Sequence, residues 1–194
     1  MRTKDHMALG RLLLEQTEQP ALQRHRTAFL LGCVEPDRNP LTYLRGSRRH
    51  RLLRGHNAGN SQAYIRWQLD RLERRGVGSA YSCFALGTLL HYIADEFTYA
   101  HNESFTGTLR EHVRYEHSLS PLFTQELAQQ QELPRACGSA EAFLEGSRLA
   151  YCAQSHTMQT DCRCIIRVCG VVFGKLTAAR ASAQLRAGLC TGAG

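Results

Sequence analysis

The sequence predicts an all-α fold, a single-domain bundle of many helices, and three observations carry that prediction. Prolines number only five in 194 residues. Apolar residues return every three or four positions in most segments, the repeat that lines one face of an α-helix. Strand-like alternation is hard to find, and the long runs favour Leu, Ala, Arg, Gln and Glu, which propagate helices well. With 43% hydrophobic and 21% charged residues, the chain has the apolar content of a globular domain that buries roughly two-thirds of its unfolded surface. Disorder, collagen-like repeats and a miniprotein dependent on covalent staples are excluded.

In chain order, the apolar run Met7-Ala-Leu-Gly-Arg-Leu-Leu-Leu14 predicts an amphipathic helix over residues 4–17, followed by a second over 19–33. Residues 34–60 hold Pro36, Pro40, Gly46, Gly55 and Gly59 and are predicted to be irregular, because proline and glycine interrupt regular hydrogen bonding. Ser61, whose side chain can accept an unpaired backbone N–H, opens a predicted helix over 61–75. Gly76 and Gly78 end it and release the next, over 79–100. Further helices are predicted over 107–131, 139–157 with Ser139 as N-cap, and 160–187. The domain therefore spans 1–187, and the glycine-rich end 188–194 reads as a frayed tail.

Lys and Arg total 24 against 17 Asp and Glu, a formal charge of +7 that favours anionic partners without choosing among them. The start, Met1-Arg-Thr-Lys-Asp-His6, turns apolar only briefly, with Arg11 inside the run and no small-residue cleavage site. Neither a signal peptide nor a membrane span of roughly 20 apolar residues is legible. The expectation is a cytoplasmic protein whose eight cysteines are thiols. Cys162, Cys164 and Cys169 lack a paired C-x-x-C spacing and fall in an apolar helical run, so they read as core residues.

The chemistry lies in histidines and carboxylates placed where a helical core should be apolar. His91 and Asp95 are four apart, on one helical face and about 6 Å apart along the axis. His101 lies about 80° round the wheel if the helix persists, suited to a neighbouring ion rather than the same one. His112 and Glu116 repeat the four-residue spacing. Imidazole nitrogen and carboxylate oxygen suit Zn²⁺, and the absence of cysteine from these faces points to catalytic rather than structural zinc. Asp37 after Pro36, His56 in Gly55-His56-Asn57, and His6 before the first helix are further candidates.

The spacing H-x-x-x-D-x-x-x-x-x-H in His91, Asp95 and His101, followed by H-x-x-x-E in His112 and Glu116, resembles the zinc-dependent phospholipase C family, similar in fold to S1/P1-type nucleases. The matching residues run from His6 to Glu116. The resemblance implies a helical bundle with two or three zinc ions. Asp37, a loop histidine, His91 and Asp95 would hold one; His101, His112 and Glu116 a second; and His6, with Asp95 as a shared bridge, a third. His56 is preferred to His50 as the loop histidine, since His50 sits in the run Arg48-Arg-His-Arg51. Secreted members supply the amino group and carbonyl of a mature N-terminal tryptophan to the third zinc, whereas this chain starts with Met1 and has its one tryptophan at Trp67.

The implied activity is zinc-dependent phosphodiester hydrolysis of the phospholipase C kind, in which metal-activated hydroxide attacks phosphorus and releases a phosphorylated head group. Asp37 would ligate zinc and orient or deprotonate the water. Glu96 would be solvated or would support a ligand. Arg45, Arg48, Arg49, Arg51 and Arg54 would receive phosphate or contact an anionic surface. Phe97, Tyr99 and Phe105 would wall an acyl or base pocket. A nuclease or nucleotide phosphatase of the same fold, with nucleic acid as partner, and a non-catalytic metal-binding helical domain are the alternative readings.

Overall fold

The computed structural model describes residues 1–39, 41 and 58–190, with side chains for 1–39, 41 and 61–178. Among these residues the fold is all-α: α1 (Thr3–Glu15), α2 (Pro20–Arg24), α3 (Arg26–Arg38), α4 (Ala58–Arg75), α5 (Ala80–Glu96), a 3₁₀ turn (Tyr99–His101), α6 (Leu109–Ala128), α7 (Ala140–Cys152) and α8 (Met158–Cys190). No described helix is long and apolar enough to cross a membrane.

The α5 helix is the axis of the bundle. Every residue from Ala85 to Glu96 is buried, which is what a helix apolar on all sides requires. Its closest neighbour is α3. A Cβ on Gly32 would collide with the Phe84 carbonyl, and one on Gly87 with the Phe29 carbonyl, so paired glycines let the two backbones touch. That close approach brings Cys33 of α3 beside His91 of α5. On α1 the buried face carries His6, Leu9, Gly10, Leu13 and Leu14, the three-and-four spacing of an amphipathic helix. Gly10 is a second point of close approach, its added Cβ falling 2.9 Å from Cys33 Sγ.

Helix ends follow their local chemistry in several places. Ser79 and Ser82 form a reciprocal capping box at the start of α5, and Thr108 and Glu111 form another at the start of α6. Ser139 accepts from the Ala142 N–H at 3.1 Å. Gly76 adopts φ 68° to end α4, a left-handed conformation that glycine tolerates best.

Other boundaries correct the sequence reading. The helix expected over 19–33 is divided at His25 (φ −111°, ψ 30°) into α2 and α3. Helix α3 continues through Pro36, placing Asp37 in a helical last turn rather than on a loop. Proline removes only its own donor, and the Asn39 N–H still reaches the Glu35 carbonyl at 2.9 Å. Ser61 lies inside α4 rather than at its start, and α8 extends past the expected end at 187 to Cys190.

The expected helix over 79–100 stops at Glu96. The Tyr99 N–H, which would otherwise bond back along the helix, donates to the Asp161 carboxylate at 2.7 Å. The Thr98 N–H closes a tighter turn on the Asp95 carbonyl at 3.0 Å. The cysteines whose side chains are described are free, with Cys162 and Cys169 fully buried in the core.

Candidate metal centre

Seven of the sequence-predicted residues converge at one end of α1, α3, α5 and α6. His6, His91 and Asp95 each offer a ligand atom within 4.8 Å of the others, and so do His101, His112 and Glu116. Asp95 joins the two groups: its Oδ2 is 3.3 Å from His91 Nε2, and its Oδ1 is 3.2 Å from His6 Nε2 and 3.6 Å from His101 Nε2. Asp37 lies beside the first group, with Oδ1 3.6 Å from His91 Nε2. His56 and the arginine run from Arg45 to Arg54 lie outside the described residues.

His6 stacks on His91 with ring centroids 3.8 Å apart, and both imidazoles lie against Asp95. His101 approaches Asp95 because α5 ends early and the chain turns back.

Backbone carbonyls fix the histidine tautomers. His91 donates from Nδ1 to the Cys33 carbonyl at 2.9 Å, and His112 donates from Nδ1 to the Ala100 carbonyl at 2.9 Å. Each Nε2 is thereby left with its lone pair aimed into the cluster, the arrangement that orients metal-binding imidazoles. His112 Nε2 and His101 Nε2 face the same Glu116 oxygen at 3.0 and 2.9 Å. Asp37 accepts from Thr3 Oγ1 at 2.8 Å. The Tyr99–His101 turn hangs on Asp161, which also accepts from the Tyr115 and Tyr151 hydroxyls at 2.9 and 2.7 Å.

Between the two groups sits the α-amine of Met1, 2.7 Å from Asp95 Oδ1 and 3.1 Å from Glu116 Oε1. Burial alone would lower its pKa, but the facing carboxylates push it up to about 11. Burial would raise Asp95, yet His101, the Met1 ammonium and His91 hold it well below the usual carboxylate range. Glu116 is lowered as well, against its own burial, by the Met1 ammonium first and then by the adjoining imidazoles of His101 and His112. Burial drives His6 down to about 4, with His91 adding to the effect. His101 is lowered by burial, whereas Asp95 and Asp37 raise His91 against it.

These residues fit divalent zinc. His6 Nε2 is fully buried and, with Asp95 Oδ1 3.2 Å away, makes no hydrogen bond of good geometry, an arrangement that costs free energy unless something occupies the lone pair. Each group supplies two imidazoles and one carboxylate, a donor set suited to tetrahedral zinc with one position left open. The second group forms the floor of a cleft of about 550 Å³ lined also by Arg2, Lys4, Asp37, Leu109, Val113 and His117.

Four residues expected near the chemistry do other work. Glu96 is buried and clamped in two hydrogen bonds by Arg148 at 2.7 and 2.8 Å, tying α5 to α7. Phe97 packs against Tyr151, and Tyr99 against Phe105, so none of these three aromatics lines the cleft. Met1, Thr3 and Asp161 stand at the site outside the motifs that mark its other residues. Only Met1 left a signal, through the main-chain amine that related enzymes use, which any first residue possesses.

Fold and site together define an all-α protein with two adjoining His-His-carboxylate groups that could each hold a cation, the second of them at the floor of a cleft. A family model for zinc-dependent phospholipase C matches residues 5–161, and the chain belongs to that family. Membership implies a hydrolase of phosphoric ester bonds. Comparisons with curated proteins and with solved structures returned no match.

Proposed function

We propose that this protein is a zinc-dependent phosphodiester hydrolase that cleaves phospholipids in the phospholipase C manner, separating diacylglycerol from a phosphorylated head group. The observation that carries the reading is the joining through Asp95 of two His-His-carboxylate groups, the second of which floors an open cleft. At least two ions are proposed, one per group. The chemistry supplied by bound zinc is neutralisation of charge on the phosphoryl oxygens and a water acidic enough to ionise near neutral pH.

The chain's own residues do the remainder. Asp95 fixes the separation of the two groups. The carbonyls of Cys33 and Ala100 keep His91 and His112 in the ligating tautomer. Asp37, oriented by Thr3 at the cleft wall, accepts the proton of the attacking water. The test is turnover of phosphatidylcholine, bis-p-nitrophenyl phosphate and single-stranded DNA by zinc-loaded protein, with and without chelator. Chelator-sensitive release of diacylglycerol is expected. Cleavage of DNA alone, or of none of the three by protein that holds zinc, would overturn the reading.

A further inference from the structure

The cleft over the second group has two chemically distinct edges. One is the start of the chain, where Arg2 and Lys4 line the opening. The other is α6, where Leu109, Val113 and His117 follow one another at four-residue spacing and therefore form one stripe along the helix. Leu109 is 55% and Val113 46% exposed, so two large apolar side chains face solvent directly beside the His101, His112 and Glu116 group.

Among the described residues, neither Arg2 nor Lys4 has an acid within ion-pair distance. Asp5 is the nearest acid along the chain, but it is buried and accepts from Ser120 Oγ at 2.7 Å instead. The acids lining the cleft, Asp37 and Glu116, belong to the cluster itself. Two divalent ions would more than offset the carboxylates of that cluster. A substrate entering this opening therefore meets uncompensated positive charge on one side and an apolar step on the other.

Resting on the reading above, we propose that the preferred substrate is a phospholipid whose head group carries a second anionic group, a phosphomonoester foremost, bound by Arg2 and Lys4 while Leu109 and Val113 contact the glyceride portion. Guanidinium and ammonium groups give charge-assisted hydrogen bonds to phosphate. The same charges disfavour the quaternary ammonium of a choline head group.

The test compares phosphatidylinositol 4-phosphate with phosphatidylcholine in uncharged detergent micelles, using zinc-loaded protein. The wild type is expected to favour the phosphorylated lipid about ten-fold or more in kcat/KM, and Arg2→Gln combined with Lys4→Glu to reduce that ratio about ten-fold, chiefly through KM. Lys4→Arg should retain the ratio, which separates charge from folding. Calorimetric binding of inositol 1,4-bisphosphate gives a readout independent of turnover, and the double variant should weaken it to the same degree.

A wild type that prefers phosphatidylcholine, a ratio unmoved by the double variant, or failure of the wild type to bind the bisphosphate overturns the proposal while leaving phospholipid hydrolysis standing. Absence of turnover on both lipids, with the bisphosphate still bound through Arg2 and Lys4, instead counts against the hydrolase reading and for the anion site. Cleavage of single-stranded DNA without bisphosphate binding overturns both.

Discussion

The two halves of the candidate metal cluster are built from the same residue types but differ in access and support. The His6, His91 and Asp95 group is almost fully buried, 2% exposed at most. It rests on regular helices locked together at Gly32 and Gly87. The His101, His112 and Glu116 group rests on a 3₁₀ turn and the first turns of α6 and opens into the cleft. The enclosed group is suited to holding an ion firmly and the open group to presenting one to substrate. Asp95 belongs to both.

The largest expected effect follows from that sharing. Asp95→Asn should lower turnover by about 1000-fold or more. Elemental analysis should show loss of zinc from both groups while circular dichroism retains the helical content. If one ion per chain remains at full occupancy, the two groups are independent and the bridging role fails.

A smaller and one-sided effect is expected at Asp161, whose carboxylate holds the turn carrying His101. Asp161→Asn should weaken zinc binding at the open group about 10- to 100-fold and leave the enclosed group loaded, as a competitive chelator titration would resolve. The converse substitution is Gly87→Ala. Its added methyl meets the Phe29 carbonyl, so it should destabilise the fold by about 1–3 kcal/mol. That loss is readable as a lower Tm, with the disturbance centred on His91.

The smallest effect is the pH response of the metal-free protein. His6, pushed down to about 4 from its ordinary 6.5, and His101, also lowered, bind fewer protons folded than unfolded. Stability is therefore full above the unfolded value and falls as pH drops from 6.5 toward about 4. His91, shifted upward, opposes part of this fall. A Tm rising on acidification through that window would contradict the assigned protonation states.

The same contrast explains what could be read from the sequence. The pairs His91 with Asp95 and His112 with Glu116 were legible because helical periodicity alone places four-apart residues on one face. Their meeting in space was implied only by family resemblance, since a helix crossing set by Gly32 and Gly87 leaves no periodic mark. The early end of α5 was invisible for a related reason. The group that captures the Tyr99 N–H is Asp161, 62 positions away. The inward placement of the Met1 amine depends equally on tertiary packing.

Diffraction from zinc-loaded crystals at the zinc absorption edge tests the central claim most directly. The account predicts one anomalous peak bonded to His6, His91 and Asp95 and another bonded to His101, His112 and Glu116. A zinc-loaded crystal with no peak at either group, or with its ions elsewhere on the surface, would contradict it.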